Sequence, residues 1–468
     1  MKNFFLTLTL FLLTPSYIFS QESVEEIIVT ATKTEKTLQE VPVAVSVVTS
    51  DTIEKASIID IFDLKSVIPS LDTRQYQSTI NSTFFIRGFG NGSNNPGIEP
   101  SVAVFVDGVY RSKTQSQITD LPMLERVEVL RGPQSTLFGK NASAGVINIV
   151  TKKPSFEKSG MITAGVGNYN SRIGKFYTTG PLNDTTAYSF SANFNNRDGH
   201  SDNPITGNAT NNRDRFGIRA ELLYVPSDDL SVRITADFDE YDEICCAVGS
   251  TSYGTANVVT ALFGGQIIPN NPYTEKAFFD FDPISDGDNS GLSIYIEKNL
   301  DNFRIESITS HRTSYNFELQ DLDFESVDQI DANNLIKDLE AVTQEIRLFS
   351  EDNERVNWLV GGYYYQEDMK YDNSIYFGSL WRSYIDALVP GALAGVAAAF
   401  GVPNASLFAA GQGVKEVSAQ DNVTKSIFAQ FDVKVSDKLS ALIGVSYIED
   451  EKTVSINQVN TDVFSNLD

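Results

Sequence analysis

Apolar and polar residues alternate along most of the chain from about residue 160 onward. In the stretch from Leu230 to Phe238, every second residue is apolar and the residues between them are polar or charged. This period-2 pattern is typical of a β-strand with one apolar and one polar face. The pattern predicts roughly eleven strands, each near the ~9–11 residues that a membrane-crossing strand needs, at about 160–168, 171–180, 185–197, 213–225, 229–241, 290–299, 302–317, 339–350, 356–370, 424–435 and 438–450.

The connections between these segments alternate in length. Tight turns are predicted at 181–185, 226–229, 299–302, 351–355 and 436–438, and long polar loops at about 198–212, 242–289, 318–338 and 371–423. Short turns at one end and long loops at the other are typical of an outer-membrane β-barrel, because lipid offers backbone groups no hydrogen-bond partners. A soluble β-sandwich is the alternative, but its strands run nearer ~5–6 residues and its loops do not sort by length. Tyr224, Tyr241 and 363–365 are expected in the barrel's interfacial aromatic girdle.

Residues 41–154 have a different pattern. Short apolar runs that favour strands, such as 41–49 and 102–110, flank a stretch at 51–70 whose apolar spacing suits helices. We therefore predict a compact α+β domain of about 110 residues, which is an ordinary domain size.

The first twenty residues predict a secretory signal peptide. Lys2 precedes an apolar run from Phe4 to Leu13, and Ser20 offers a small residue at the cleavage point. Further along, no apolar run reaches the ~18 residues of a membrane-spanning helix. The nearest candidate, 385–400, is interrupted by Pro390 and is predicted to be a loop helix.

Charge and composition exclude several classes of function. A formal net charge of −25 argues against nucleic acid as a partner, which requires clustered positive charge. With only His200 and His311 in the chain, a histidine-based metal or haem site is not expected, and no cofactor is predicted. No catalytic constellation stands out, so the chain is not expected to be an enzyme. Cys245 and Cys246 are adjacent, and both a vicinal disulfide and two free thiols are compatible with the sequence.

The glycine-rich stretch at 126–154 raises the question of a phosphate-binding loop. Such a loop needs a glycine five residues before the Gly139–Lys140 pair and a Ser or Thr directly after it. The sequence has Gln134 and Asn141 at those two positions. The glycines are therefore assigned to tight turns of a folded domain.

Three blocks resemble the plug domain of TonB-dependent outer-membrane receptors: TFFIRGFG at 83–90, VAVFVDGVY at 102–110, and LERVEVLRGPQSTLFGKNASAGVINIVTKKP at 124–154. EEIIVTATK at 25–33 resembles the TonB box of the same family. The predicted fold is therefore mainly β, an α+β plug followed by an incomplete transmembrane antiparallel β-barrel. The domains are a signal peptide at 1–20, the TonB box and linker at 21–40, the plug at 41–154, and the N-terminal part of the barrel at 155–468.

The resemblance implies an energised receptor in the outer membrane of a Gram-negative bacterium. Its expected partners are TonB with its inner-membrane energising complex, outer-membrane lipid and a small-molecule nutrient. An extended, β-branched segment near a free terminus can add a strand to a partner's sheet edge. The TonB box is assigned to Glu26, Ile27, Ile28, Val29, Thr30 and Ala31, followed by a flexible polar tether.

The resemblance also implies ionic contacts that hold the plug inside the barrel, with plug arginines facing barrel glutamates. Glu345 is the expected barrel partner, since it has the opposite strand parity from Ile346 and Leu348. The predicted plug side consists of Arg87, Glu125, Glu128 and Arg131. Apical plug loops are expected to contact the ligand through Asn91, Ser93, Asn94, Asn95, Tyr110, Arg111 and Lys113.

The expected cargo is a ferric siderophore, with iron carried inside the ligand, and cobalamin or glycans are the alternatives. A passive porin would need no plug, and a signalling transducer of this family would need a further periplasmic domain before the TonB box.

The size of the plug predicts the size of the barrel. The family's barrel has about 22 strands and therefore a backbone radius of roughly 22 Å. A plug of about 110 residues is equivalent to a sphere with a radius of roughly 17 Å, so it fits inside such a barrel. Twelve strands would enclose only roughly 12 Å, so the chain is expected to be an N-terminal fragment.

Overall fold

The computed structural model describes residues 27–30, 32–75, 82–91, 97–113, 120, 123–247, 252–271, 273–351, 353 and 355–461. Several predicted features lie outside these residues: the signal peptide, the TonB-box residues Glu26 and Ala31, and the apical-loop residues Ser93, Asn94 and Asn95.

The N-terminal third contains a small mixed sheet with short helices. Its strands are β1 (Ile28–Val29), β2 (Lys36–Thr37), β3 (Val45–Thr49), β4 (Leu71–Gln75), β5 (Ser82–Ile86), β6 (Val102–Val106), β7 (Val109–Arg111), β8 (Leu124–Arg131) and β9 (Gly145–Thr151). Its helices are α1 (Ser50–Lys55), a 3-10 helix (Ile61–Ser66) and α2 (Ser135–Phe138). The five-stranded sheet has the order β3-β8-β9-β6-β7, with only the β6–β9 pair parallel, and β1 pairs with β2 and β4 with β5. This confirms the predicted α+β domain.

Local sequence signals explain the two short helical turns. Thr49 caps α1 by accepting a hydrogen bond from the backbone of Thr52, and Asp60 with Asp63 forms a capping box around the 3-10 helix. Both helices place apolar residues such as Ile53 and Leu64 in one core with the sheet. That core fixes the positions of the connecting turns.

The rest of the chain forms one antiparallel sheet of eleven strands among the residues described. The strands after β9 are β10 (Ser159–Val166), β11 (Arg172–Asn183), β12 (Thr186–Arg197), β13 (Ser201–Asp202), β14 (Ala209–Thr210), β15 (Arg213–Ser227), β16 (Leu230–Glu243), β17 (Ile284–Leu300), β18 (Phe303–Gln320), β19 (Ile330–Ser350), β20 (Val356–Phe377), β21 (Gly413–Ser436) and β22 (Leu439–Asn460). The order in the sheet is β10-β11-β12-β15-β16-β17-β18-β19-β20-β21-β22, so it follows the chain apart from β13 and β14, which form a separate small pair.

All eleven predicted segments are strands of this sheet, but several extend further than expected. The predicted loop at 318–338 shrinks to the connection between β18 and β19, because both strands continue beyond the apolar alternation. Polar strand ends carry no alternating apolar signal, so the sequence pattern missed them.

The two faces of the large sheet differ sharply. One face has exposed apolar side chains, among them Phe216, Ile218, Leu222, Ile234, Leu292, Ile296, Val342 and Ile346. The other has buried charged and polar side chains and faces the plug, among them Arg219, Glu221, Arg233, Arg312, Glu345 and Glu367. An apolar outer face around a polar interior is the arrangement of a membrane barrel.

Three girdle predictions, Tyr241, Tyr363 and Tyr365, were wrong for the same reason. Tyr363 pairs with Glu345 across β19 and β20 and packs against the buried cluster of Phe105 and Tyr365. Tyr241 and Tyr365 are 4% and 1% exposed and lie on the inner face. Tyr241 accepts a hydrogen bond from Asn316, and Tyr365 donates one to Glu367. Their strand parity matches the charged residues, whereas Tyr224 is 46% exposed on the outer face.

The long loops carry α3 (Thr255–Leu262), α4 (Trp381–Leu388) and α5 (Ala392–Phe400). The helices α4 and α5 replace the single loop helix predicted near 385–400, with a bend of 104° between them around Pro390. Within the described part of the chain, no individual helix is both long and apolar enough to span a membrane; only this bent pair passes that test, by length and composition.

Candidate functional site

Asp107 lies in a tight turn that aims its carboxylate at the barrel. The turn joins β6 to β7, and both Asp107 (φ 49°) and Gly108 (φ 81°) adopt left-handed backbone angles, as a two-residue hairpin turn requires. The carboxylate accepts hydrogen bonds from Thr151 N at 2.9 Å and Thr151 Oγ1 at 2.7 Å, and from the Arg219 guanidinium. Arg233 Nη1 lies 3.7 Å away. Burial alone would raise the pKa of Asp107, but Arg233 and Arg219 outweigh it and hold the pKa below its ordinary value.

A second group of carboxylates meets the barrel at Arg215. Its Nη1 lies 3.1 Å from Asp60 Oδ2 and 3.4 Å from Asp120 Oδ1, while its Nε donates to Glu243 at 2.6 Å. Burial raises the pKa of Asp120 despite the nearby Arg215. Asp60 therefore has two functions, capping a helical turn of the plug and contacting the barrel.

The structure contradicts the expectation that plug arginines hold barrel glutamates. Around Asp107 and Arg215 the sign is reversed, because aspartates belong to the plug and arginines to the barrel. Arg131 donates at 3.5 Å to the backbone carbonyls of Ala44 and Val45 in the plug. Arg87 is an exposed residue of a plug turn with φ 54°.

Glu125 and Glu128 also contact the plug and residues 27–30 and 32–38, here called the N-terminal segment, and not the barrel, in the contacts described. Arg126 bridges them, with Nε 2.7 Å from Glu128 Oε1 and Nη1 bonded to Glu125. Glu128 is fully buried on β8 and also accepts hydrogen bonds from Asn148 and from Thr30. Alternate positions of a central strand face opposite sides of the sheet. The side that carries Arg126 and Glu128 faces the N-terminal segment.

Glu345 lies on the inner face, as its parity predicts, with Ile346 47% exposed on the other face. Its partners are the linker residue Lys33, whose Nζ donates to Oε1, and Arg347, whose Nε lies 2.8 Å from Oε1. Burial lowers the pKa of Lys33 to about 8, although the Glu345 carboxylate opposes the shift. The contact thus joins the barrel to the N-terminal linker and not to a plug arginine.

The residues predicted as the TonB box that lie in the described range are docked and not free. Ile28 and Val29 are extended, as predicted, but they pair with Thr37 and Lys36 of the linker. Val29 is fully buried, and the Thr30 N–H donates to Glu128 at 2.9 Å. Burial of an apolar side chain and satisfied backbone groups both favour docking, so the expectations of a free tail and a flexible tether were wrong for these residues.

The described apical-loop residues make contacts within the protein. Asn91 accepts hydrogen bonds from Ser101 N and Oγ, both at 2.7 Å. Tyr110, Arg111 and Lys113 are each 6% exposed and lie at the boundary between plug and barrel. Lys113 Nζ, for example, lies 3.9 Å from Glu367 of β20. Their predicted role in ligand binding stays a prediction.

The Gly139–Lys140 pair serves as a plug-to-barrel contact. Gly139 ends the short helix α2 with φ 75°, and Lys140 Nζ lies 2.9 Å from both Glu99 and Asp450.

A disulfide joins Cys245 to Cys246. The described residues contain no group of three or more His, Cys, Asp or Glu side chains able to hold a metal ion.

Sequence reasoning missed the main plug-to-barrel contacts, Asp60, Asp107 and Asp120 with Arg215, Arg219 and Arg233. A signal was present for the barrel side. Arg215 and Arg219 share one strand parity, opposite to Phe216 and Ile218, which marks them as inner-face residues. The aspartates gave no such signal, because turn aspartates occur in any loop.

Known proteins resemble both parts of this architecture. Residues 37–146 match the TonB-dependent Receptor Plug Domain. The chain is 33% identical over 205 residues to the pesticin receptor of Yersinia pestis, an alignment covering 43% of this chain and 29% of that protein. It is 31% identical over 176 residues to a vitamin B12 transporter of Vibrio vulnificus, covering 36% and 28%.

Solved structures share the fold. The ferric yersiniabactin uptake receptor of Yersinia pestis superposes with a TM-score of 0.73 at 20% identity, covering 90% of this chain and 58% of that one. The ferripyoverdine receptor of Pseudomonas aeruginosa gives 0.66 at 14% identity, covering 93% and 56%. The chain therefore spans less than two thirds of the length of these relatives. Residues 37–146 therefore form a plug domain of the TonB-dependent receptor type, and the chain as a whole shares the fold of these uptake receptors.

Proposed function

We propose that the chain acts in TonB-dependent active import of a scarce nutrient, as a receptor and not an enzyme. The observation that supports this most is the plug, which lies on the polar inner face of a sheet whose outer face is apolar. Asp107 and Asp60 reach Arg219 and Arg215 of that inner face. A passive pore has no need of a folded domain held there by buried ion pairs.

The proposed coupling uses residues 26–31 as the strand that TonB recruits. No nucleotide is available at the outer membrane, so mechanical work has to arrive through a partner from the inner membrane. Ile28 and Val29 are β-branched and extended, and Ile28 is 50% exposed. Such a strand can pair with a partner's sheet edge through its main chain.

The proposed cargo is a ferric siderophore. Relatives are named a pesticin receptor and a ferrioxamine B receptor, and two similar structures are receptors for ferric yersiniabactin and ferripyoverdine. Iron would enter as part of this ligand, so the protein needs no resident metal. The vitamin B12 transporter among the relatives keeps cobalamin as the second candidate.

Coupling to TonB is tested by an Ile28→Pro variant beside Ile28→Ala as its matched control. Proline removes the backbone N–H that strand addition needs, whereas alanine removes the side chain and keeps the N–H. We expect the proline variant to lose energised uptake and the alanine variant to keep most of it, with both variants equally abundant in the outer membrane. Equal uptake by the two variants would contradict the assignment of the TonB box.

The cargo is tested separately by growth of a deletion strain on single iron sources and on cobalamin. Failure on one ferric siderophore, restored by the intact gene, would identify the ligand class. A defect confined to cobalamin would replace the ferric siderophore in this proposal.

A further inference from the structure

Cys245 and Cys246 lie in the loop between β16 and β17, which contacts the plug. This loop is one of the long connections, and the long loops of an outer-membrane barrel lie on its extracellular side. The chain contains no other cysteine, so their disulfide has no competing thiol partner within the protein. The proposed import function makes no use of this disulfide.

The side chain of Gln75 approaches both sulfur atoms from the plug. Its Nε2 donates to Cys245 Sγ at 3.4 Å and to Cys246 Sγ at 3.7 Å. Gln75 is the last residue of β4 and pairs with Ser82 of β5, so a regular element of the plug positions this donor. A neutral sulfur is a weak acceptor, whereas a thiolate accepts a charge-assisted hydrogen bond. Gln75 therefore stabilises a sulfur that becomes a thiolate more than it stabilises the disulfide.

Two asparagines fix the backbone on either side of the cysteines. Asn212 Oδ1 accepts a hydrogen bond from Ile244 N, and Asn211 N donates to Ile244 O, both at 2.6 Å. Asn211 Oδ1 accepts a hydrogen bond from Ala247 N at 3.3 Å. Both asparagines lie between β14 and β15, so these bonds do not depend on the sulfur atoms. Opening of the disulfide therefore leaves the two cysteines next to Gln75.

The two cysteines differ in their access to solvent. Cys245 is 5% exposed, whereas Cys246 is only partly buried. The rate of thiol–disulfide exchange depends on which sulfur an incoming thiolate can reach. Cys246 is therefore the sulfur that is attacked, and Cys245 is the sulfur that leaves. The leaving sulfur is also the one nearer to Gln75 Nε2.

We propose that Cys245 and Cys246 form a reversible exchange site for small extracellular thiols, with Gln75 as the donor to the leaving sulfur. A deprotonated external thiol attacks Cys246 Sγ, and a new S–S bond joins the thiol to Cys246. The bond between Cys245 and Cys246 breaks, and its electron pair goes to Cys245 Sγ. Gln75 stabilises the resulting thiolate, which solvent then protonates. The reverse attack of Cys245 on Cys246 Sγ releases the thiol and restores the disulfide.

The rate at which reduced glutathione opens the disulfide tests the site in the folded chain in lipid nanodiscs. Samples are quenched with N-ethylmaleimide, and mass spectrometry of the peptide that carries both cysteines gives the opened fraction over time. The urea-unfolded chain is the reagent control. If glutathione opens the disulfide in the unfolded chain but not in the folded chain, the proposal is overturned.

Substitutions of Gln75 test its role as the donor. Gln75→Met keeps an unbranched side chain and removes the N–H groups, so we expect opening to slow by roughly tenfold, as for a lost hydrogen bond to a charged group. Gln75→Glu should slow it further, because a carboxylate repels the leaving thiolate. Gln134→Met makes the same exchange of residue type elsewhere in the plug and should stay within about twofold. Equal rates in Gln75→Met and Gln134→Met would show that Gln75 does not assist the exchange.

Single-cysteine variants test which sulfur is attacked, and they keep the proposal testable if the Gln75 variants do not fold. Oxidised glutathione forms a mixed disulfide with the one remaining thiol and releases reduced glutathione. We expect Cys246 in Cys245→Ser to react roughly tenfold faster than Cys245 in Cys246→Ser, because access limits the reaction. Equal rates, or a faster reaction of Cys245, would overturn the proposal. All these rates are measured without TonB and without cargo, so their outcome is independent of the proposed function.

Discussion

The α+β domain from β3 to β9, here called the plug body, and the N-terminal segment are both held against the barrel, but the contacts at Asp60 and Asp107 have the opposite charge sign from those of the segment. The plug body presents carboxylates, Asp60 and Asp107, to barrel arginines. The segment presents ammonium groups, Lys33 and Lys36, to barrel carboxylates. Exchanging these charges between the two regions would set like charges against each other.

The two regions also differ in how many partners each charge has. Asp107 faces two barrel cations, Arg219 and Arg233, and Asp60 faces Arg215, so several ion pairs must break together for the plug body to leave. Lys33 has one carboxylate partner, and that carboxylate has a second cation. This difference indicates a plug that stays in place while the segment detaches.

The largest effect is expected for Asp107→Asn. Asparagine keeps the shape of the side chain but removes the charge that compensates Arg219 and Arg233. Because a buried pair loses one partner, we expect the free energy of unfolding to fall by about 3 kcal/mol. Urea unfolding of the folded protein in detergent, analysed by linear extrapolation, measures it.

A matched control for this variant is Asp72→Asn. Asp72 pairs with Arg74 at 2.7 Å, but both side chains are about half exposed. The change should be at most about 0.5 kcal/mol. Equal effects of the two substitutions would show that the buried network does not anchor the plug body.

A smaller effect is expected for Thr30→Val. The Thr30 hydroxyl donates to Glu128 at 3.1 Å, and valine keeps the branched shape without that bond. Loss of a hydrogen bond to a carboxylate should favour opening of the segment by about 1–2 kcal/mol. Exchange of the amides in residues 27–38 measures it, while the exchange of β8 and β9 should not change.

Thr30→Ser separates the hydroxyl from the shape of the side chain. Serine keeps the donor, so its exchange should remain close to that of the unmodified chain. If Ser accelerates exchange as much as Val does, the lost methyl group and not the hydrogen bond controls docking.

Much of this architecture could be predicted from the chain itself. The period-2 alternation predicted all eleven strands of the large sheet, because lipid and a polar interior impose opposite demands on alternate residues. The same parity rule placed Glu345 on the inner face. Spaced blocks such as 83–90 and 102–110 predicted the plug.

The pairing of charges could not be predicted, because it depends on contacts between residues far apart in the chain. Glu345 meets Lys33 across 312 positions, and Arg219 meets Asp107 across 112. The strand parity of a residue gives the face of the sheet on which the residue lies. It does not give the position of the residue along the barrel axis or its partner across the lumen. The docking of the predicted TonB box was missed for a similar reason, since Val29 becomes buried only against the folded plug and barrel.

The smallest expected effect is a pH dependence confined to the N-terminal segment. Lys33 faces Glu345, Arg347 and Glu306, and burial lowers its pKa to about 8 from an ordinary value of 10.5. Between these two pKa values the released segment binds a proton that the docked segment does not, so docking strengthens as pH rises. From pH 7 to 8.5 the docked fraction relative to the released fraction should increase roughly fourfold. The mobility of a nitroxide label at position 27 reports it, and Lys33→Met should abolish the dependence. Weaker docking at higher pH would mean that the ion pair with Glu345, and not the burial of Lys33, dominates this contact.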